Sequence, residues 1–145
     1  MFLHILILPL LSGLIAQTIK FFIKANRQKW KIKNFFAYSG MPSGHSAMII
    51  SLATIIGLEE SLHSPLFAFS VIFAIIIIRD ALGLRRYLGQ HGKTLNILVK
   101  DLKEDEFLDE NYPRLLERIG HTPAQVLVGS LIGFLTSLLG FILLS

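Results

Sequence analysis

The sequence predicts an all-α membrane protein: a polytopic helical bundle with about four transmembrane helices and a short amphipathic helix in its last cytoplasmic loop. Two observations lead to this fold class. Of the 145 residues, 52% are hydrophobic and 17% are charged, whereas an average soluble domain carries roughly 25% charge. All fourteen Lys and Arg fall within residues 20–33 and 79–118. The long apolar stretches outside these windows exclude a disordered chain and argue strongly against an ordinary soluble domain.

Four apolar stretches predict the spans, in the order 3–23, 44–61, 64–83 and 123–144. The first and last reach the roughly 20 residues that a transmembrane helix needs. The middle two are shorter, so we expect their ends to lie at the interface or against protein. We treat residues 1–145 as a single membrane-embedded domain.

The positions of the positive charges predict the orientation in the membrane. Four spans make three loops, and both basic windows fall in loops on the same side. By the positive-inside rule this side faces the cytoplasm, which puts both termini outside. We therefore expect an integral protein of a bacterial-type plasma membrane. The net charge of +4 marks topology, and we expect no nucleic acid partner.

This topology brings an unusual set of polar residues to one membrane surface. The set is Gln17, Lys20, Ser43, Gly44, His45, Asp80, Arg85, Arg86 and His121. Two helix N-termini also lie there, and their free N–H groups suit an anion. Arg and Lys bind phosphate, and a pair of histidines can attack phosphorus and protonate a leaving oxygen. The set predicts phosphoryl transfer at the lipid–water boundary.

Several of these residues stand in recognisable motifs. Pro42-Ser43-Gly44-His45 matches the central Pro-Ser-Gly-His motif of the type 2 phosphatidic acid phosphatase superfamily, which includes vanadium haloperoxidases. Residues 121–129, HTPAQVLVG, look like the last motif, in which His-x-x-x-Asp precedes an apolar helix. With residues 80–86, DALGLRR, the chain resembles the divergent, small integral-membrane branch of this superfamily over nearly its whole length.

The resemblance implies both phosphate ligands and a general acid. The phosphate ligands would be Lys20, Arg27, Ser43, the amide of Gly44, Arg85 and Arg86. Within the first motif, Lys20 matches the Lys and Arg27 takes the place of the Arg, although Gln28 replaces the Pro that follows. His45 would donate the proton to the leaving group.

Two histidines compete for the role of nucleophile. His91 keeps the superfamily spacing, with five residues between it and Arg85, whereas His121 precedes a Pro-containing helix start as the superfamily His does. In the second case residues 92–120 form an insertion that splits the motif. We favour His121 and keep His91 as the alternative.

The Asp that orients the nucleophile in the superfamily is missing here. Gln125 stands four residues after His121, and an amide accepts a hydrogen bond without supplying charge. Asp80 is the carboxylate that we expect to take over this role. We expect no metal and no cofactor, because the superfamily fold works with histidines and a cation cluster.

Residues 94–103 carry Leu95, Leu98, Val99 and Leu102 at helical spacing. This spacing predicts a short amphipathic helix at the membrane surface. In the last span, Gly129 and Gly133 are spaced for close helix packing, either in a homo-oligomer or within one bundle.

The resemblance implies a lipid phosphate phosphatase that hydrolyses a phosphomonoester such as phosphatidic acid or phosphatidylglycerophosphate through a phosphohistidine. Its partners would be the lipid substrate and the bilayer. The alternative is a non-catalytic anionic-lipid-binding or assembly protein that kept the phosphatase fold.

Overall fold

The computed structural model describes residues 2–23, 40–104, 114–117 and 119–144. Within these residues the chain forms five α-helices. They are α1 (Phe2–Phe22), α2 (Gly44–Glu60), α3 (Pro65–Leu82), α4 (Leu84–Glu104) and α5 (Pro123–Leu144). The all-α membrane bundle expected from the sequence is confirmed, and the four long apolar helices start and end within two residues of the predicted spans.

The helix starts follow from local side-chain chemistry. The hydroxyl of Ser43 accepts a hydrogen bond from the Ser46 N–H at the start of α2. In the same way, the hydroxyl of Ser64 accepts from the Phe67 N–H at the start of α3. These N-caps satisfy backbone donors that the first helical turn leaves without a partner.

The amphipathic helix is longer than the predicted 94–103, since α4 begins at Leu84. Gly83 ends α3 by donating its N–H to the Arg79 carbonyl, and its own carbonyl accepts from the N–H groups of Arg86 and Tyr87. One residue therefore ends one helix and begins the next. The exposed apolar face of α4 consists of Leu84, Leu88, Leu95, Leu98 and Leu102.

Three helical stretches among the described residues are long and apolar enough to cross a membrane: Leu3–Phe22, Pro65–Leu102 and Pro123–Leu144. The second of these runs through α3 into α4. With 17 residues, α2 is shorter than the roughly 20 that span a bilayer. It lies at the centre of the bundle, where it contacts α1, α3 and α5. These neighbouring helices therefore surround α2, and it need not span the bilayer by itself.

Small residues line the contact between α2 and α5. A Cβ atom on Gly129 would collide with the carbonyl oxygen of Ser43, and one on Gly133 would collide with that of Ala47. The two helices therefore touch backbone to backbone, which only glycine permits. Of the two uses expected for these glycines, the structure shows packing within one bundle.

A buried polar pair joins the same two helices further along. The Ser137 hydroxyl donates to the Ser51 carbonyl at 2.8 Å, and the two hydroxyl oxygens lie 2.6 Å apart. Because Ser137 has already donated its single hydrogen, Ser51 is the donor between the hydroxyls. Both side chains are fully buried, where unmet hydroxyl groups would be costly.

The outer surface of the bundle is apolar, as a lipid-facing surface must be. Its large exposed side chains include Leu6, Leu10, Leu14, Ile72, Ile76, Leu131 and Leu135.

The two ends of the bundle differ in chemistry. Lys20, His45, Arg85 and His121 lie at one end, which we call the basic end. At the opposite end, the Nδ1 atom of His4 lies 2.7 Å from a carboxylate oxygen of Glu59 and joins α1 to α2. An apolar cavity of about 350 Å³ also lies near that opposite end, with Ile5, Glu60 and Leu66 in its wall.

The α2–α5 contact predicts a position-dependent cost of added methyl groups. Gly133→Ala should lower the thermal midpoint in detergent, because the methyl group meets the rigid backbone of Ala47. Overpacking of this kind costs about 1–3 kcal/mol. The matched control is Gly140→Ala, whose methyl group meets only the side chain of Leu8 and should cost less. A Gly133→Ala protein as stable as the wild type would contradict this packing.

Candidate functional site

Backbone hydrogen bonds fix three helix ends against one another at the basic end. The N–H of Ser43, just before α2, donates to the carbonyl of Gln125 in α5 at 3.0 Å. The N–H of His121, just before α5, donates to the carbonyl of Ala81 in α3 at 3.0 Å. The starts of α2 and α5 and the end of α3 thus form one rigid frame.

His121 is held in a defined orientation within this frame. Its side chain is 6% exposed, and its Nδ1 atom lies 3.3 Å from the Oε1 atom of Gln125. The same Oε1 accepts the N–H of Thr122 at 3.0 Å, while the Thr122 hydroxyl faces the Gln125 N–H. Thr122 and Gln125 therefore form a reciprocal capping box at the start of α5.

This capping box determines which nitrogen of His121 is free to react. A backbone N–H can only donate, so the Gln125 atom that it contacts is the acceptor oxygen. The Nδ1 atom of His121 faces that oxygen and must carry the imidazole hydrogen. The Nε2 atom is then the unprotonated nitrogen, with its lone pair available to a phosphorus atom.

The surroundings of His121 also favour the neutral imidazole. Burial lowers the pKa of His121 below its ordinary value, and the positive charges of Lys20 and Arg85 lower it further. The hydrogen bond to Gln125 raises the pKa and so offsets part of this effect. Because a nucleophilic imidazole must be unprotonated, the balance suits that role.

Two cationic side chains and a second imidazole surround this position. Lys20 reaches the basic end from α1 with only 2% of its surface exposed. Arg85 lies at the start of α4 and is partly buried. His45 is the second residue of α2 and is exposed, and the charges of Lys20, Arg85 and Asp80 all act on it. Four of the residues predicted for the site thus come together.

Asp80 differs from the expectation that it orients His121. Its carboxylate accepts the Nε–H of Arg85 at 2.5 Å, and Gln125 holds the imidazole instead. The cause is the turn at Gly83, which brings the first turn of α4 back towards the last turn of α3. Asp80 therefore holds Arg85 in place.

The first turn of α2 offers a site for an anion. Ser43 itself is fully buried, and its hydroxyl accepts from both the N–H and the hydroxyl of Ser46. Among the described residues, the N–H groups of Gly44 and His45 have no hydrogen-bond partner. Such amides at a helix start bind phosphate oxygens. Ser43 shapes this turn, and the amides of Gly44 and His45 are the candidate anion donors beside it.

Gln17 is a residue that the sequence reasoning placed here without a role. Its side chain packs against Gly44, where a Cβ atom would lie 3.5 Å from the amide nitrogen. Its Oε1 atom is buried and has no hydrogen-bond partner among the described residues. A protonated phosphate oxygen or a hydroxyl group of a ligand would satisfy it.

The remaining predicted residues lie apart from this cluster. His91 is exposed on α4, and it is not among the groups whose charges act on His45 or His121. The Arg86 side chain is exposed, and its backbone supports Gly120. Arg27 lies outside the described residues. Geometry therefore favours His121 over His91. In the part of the chain that the structure describes, no three His, Asp or Glu side chains converge on a possible metal position.

The His121 environment predicts a measurable titration. By NMR of histidine-labelled protein, the pKa of His121 should lie below about 6.5, the value of an unperturbed imidazole. Gln125→Glu should raise it, because a carboxylate at the same position stabilises the imidazolium. Gln90→Glu, on the exposed side of α4, is the matched control and should change it less. A wild-type pKa at or above that of free histidine would contradict the buried geometry.

Comparison with known proteins identifies the family of this chain. The uncharacterized membrane protein YuiD of Bacillus subtilis (strain 168) is 39% identical, over 90% of this chain and 91% of its own length. No solved structure matches the chain. The sequence profile of the divergent PAP2 family matches residues 3–136, and the chain therefore belongs to that family.

Proposed function

We propose that this member of the divergent PAP2 family is a lipid phosphate phosphatase that forms a phosphohistidine on His121. The observation that carries the proposal is the arrangement at the basic end. A buried imidazole with a free Nε2 atom lies among Lys20, Arg85 and a second imidazole. A binding protein would need the cations, but it would not need an imidazole fixed in one tautomer.

The proposed reaction has two steps. The Nε2 lone pair of His121 forms a bond to phosphorus while the bond from phosphorus to the lipid oxygen breaks, and His45 gives its proton to that oxygen. Water then attacks the phosphohistidine, the P–N bond breaks, and His45 takes the proton of the water. Lys20, Arg85 and the amides of the first turn of α2 stabilise the charge on the phosphoryl oxygens.

The substrate would be a phosphomonoester at the membrane surface, such as phosphatidic acid or phosphatidylglycerophosphate. The basic end adjoins the lipid-facing surface, so a headgroup can reach it while its acyl chains stay in the bilayer. The confinement of Lys and Arg to two windows on one side supports a cytoplasmic active face in a plasma membrane, with both termini outside.

One observation favours a second candidate function, a non-catalytic anionic-lipid-binding or assembly protein. The group that holds His121 is the neutral amide of Gln125, while the nearby carboxylate of Asp80 is bound to Arg85. An amide stabilises a developing imidazolium less than a carboxylate does.

Phosphate release from purified protein separates the two functions. We expect release from phosphatidic acid or phosphatidylglycerophosphate, its loss in His121→Ala, and a decrease of about 10²–10⁴-fold in His45→Ala. His91→Ala should retain activity, and His63→Ala, at the opposite end of the bundle, is the control. Full activity in His121→Ala would overturn the assignment of the nucleophile. Lipid binding without release from any substrate would favour the non-catalytic function.

A further inference from the structure

The predicted insertion between Arg85 and His121 returns to the candidate site at its C-terminal end. The described end of it, residues 114–117 and 119–120, lies along α4, and we call it the return segment. A Cβ atom on Gly89 would lie 2.7 Å from the Glu117 carbonyl oxygen, and one on Gly92 would lie 2.7 Å from that of Leu116. The two glycines form a flat strip on α4, against which the backbone of the return segment packs.

Asn96 clamps the return segment one turn further along the same face of α4. Its Nδ2 atom donates to the Leu115 carbonyl at 2.9 Å, and its Oδ1 atom accepts the Leu115 N–H at 2.9 Å. The second Nδ2 hydrogen reaches a carboxylate oxygen of Glu117 at 2.9 Å. One side chain thus pairs with the backbone of the segment as a neighbouring β-strand would. The hydrogen bond from Asn96 to Glu117 also lowers the pKa of the Glu117 carboxyl.

Further contacts with α4 and α3 involve residues 119–121, which lead to His121. A Cβ atom on Gly89 would also lie 3.2 Å from the Ile119 nitrogen. Gly120 has a φ of +89°, and a Cβ atom there would lie 2.7 Å from the Arg86 nitrogen. The next residue, His121, donates its N–H to Ala81. The position of His121 along this frame therefore depends on where α4 holds the return segment.

We propose that Asn96 is a positioning residue for the candidate active site: by holding Leu115 and Glu117 on α4, it sets the place of His121 between Lys20 and Arg85. The catalytic part of this proposal rests on the proposed function. The structural part, that the clamp at residue 96 orders the backbone at residue 121, stands apart from any activity. It gives α4 and the return segment a role, because Gly120 at the end of this segment lies against the backbone of Arg85 and Arg86.

Two variants remove the clamp by different routes. Asn96→Ala deletes the three hydrogen bonds, and Gly92→Ala leaves Asn96 intact but pushes a methyl group against the Leu116 carbonyl. Ile97→Ala is the matched control, since Ile97 neighbours Asn96 on α4 and its side chain is 52% exposed. Thermal midpoints and size-exclusion profiles establish that each variant is folded.

Hydrogen exchange measured by mass spectrometry tests the structural part without an activity assay. Both clamp variants should lose protection at Leu115 and also at His121, whose amide is hydrogen-bonded in the wild type. Ile97→Ala should lose neither. If protection is lost only at residues 114–117 and stays unchanged at His121, the clamp holds the return segment without ordering His121. This result would overturn the proposal.

Steady-state kinetics tests the catalytic part. Misplacement of a reacting group by about 1 Å can cost 10²-fold in rate, so both clamp variants should lower kcat about 10–100-fold with KM nearly unchanged. If the wild type is active and both clamp variants keep its kcat, the positioning role of Asn96 is overturned. If the wild type releases no phosphate at all, the proposed function fails, and the exchange result still decides whether Asn96 orders His121.

Discussion

The direct backbone contact between α2 and α5 is the constraint on which the rest of the structure depends. At Gly129 and Gly133 the backbones of the two helices are in direct contact, with no side chain between them. Next to this contact, the N–H of Ser43 donates to the Gln125 carbonyl. In a bilayer, hydrophobic burial does not drive helices together, so close packing and buried hydrogen bonds supply the stability. The same contact brings the two candidate anion-binding features, the first turn of α2 and the His121 turn, side by side.

This arrangement favours the neutral form of His121, the residue that we propose as the nucleophile. Burial and the nearby charges of Lys20 and Arg85 disfavour the imidazolium, and Gln125 fixes the hydrogen on Nδ1 without adding a negative charge. A carboxylate in the place of Gln125 would favour the imidazolium more strongly. Asp80 is near enough to act on His45, but the turn at Gly83 commits its carboxylate to Arg85. Asp80 thus places a cation instead of orienting His121.

Much of the fold could be predicted from the sequence, because the long apolar runs and the N-caps are local signals. Ser43 and Thr122 mark helix starts that the structure places within a residue or two of the prediction. The capping box formed by Thr122 and Gln125, and its second use in orienting His121, depend on side-chain rotamers that the sequence does not specify. The partner of Asp80 depends on how tightly the chain turns at Gly83, and the clamp at Asn96 joins residues 19 positions apart. Neither feature has a periodic or local signal.

Under the proposed function, His121 carries the phosphoryl group during turnover. The most direct measurement is to mix the protein with a lipid phosphate, quench at alkaline pH, where phosphohistidine survives, and locate the phosphate by peptide mass spectrometry. We expect phosphate on the Nε2 atom of His121, because Gln125 occupies Nδ1. Phosphate on His45 or His91, or steady turnover with no phosphohistidine, would contradict it.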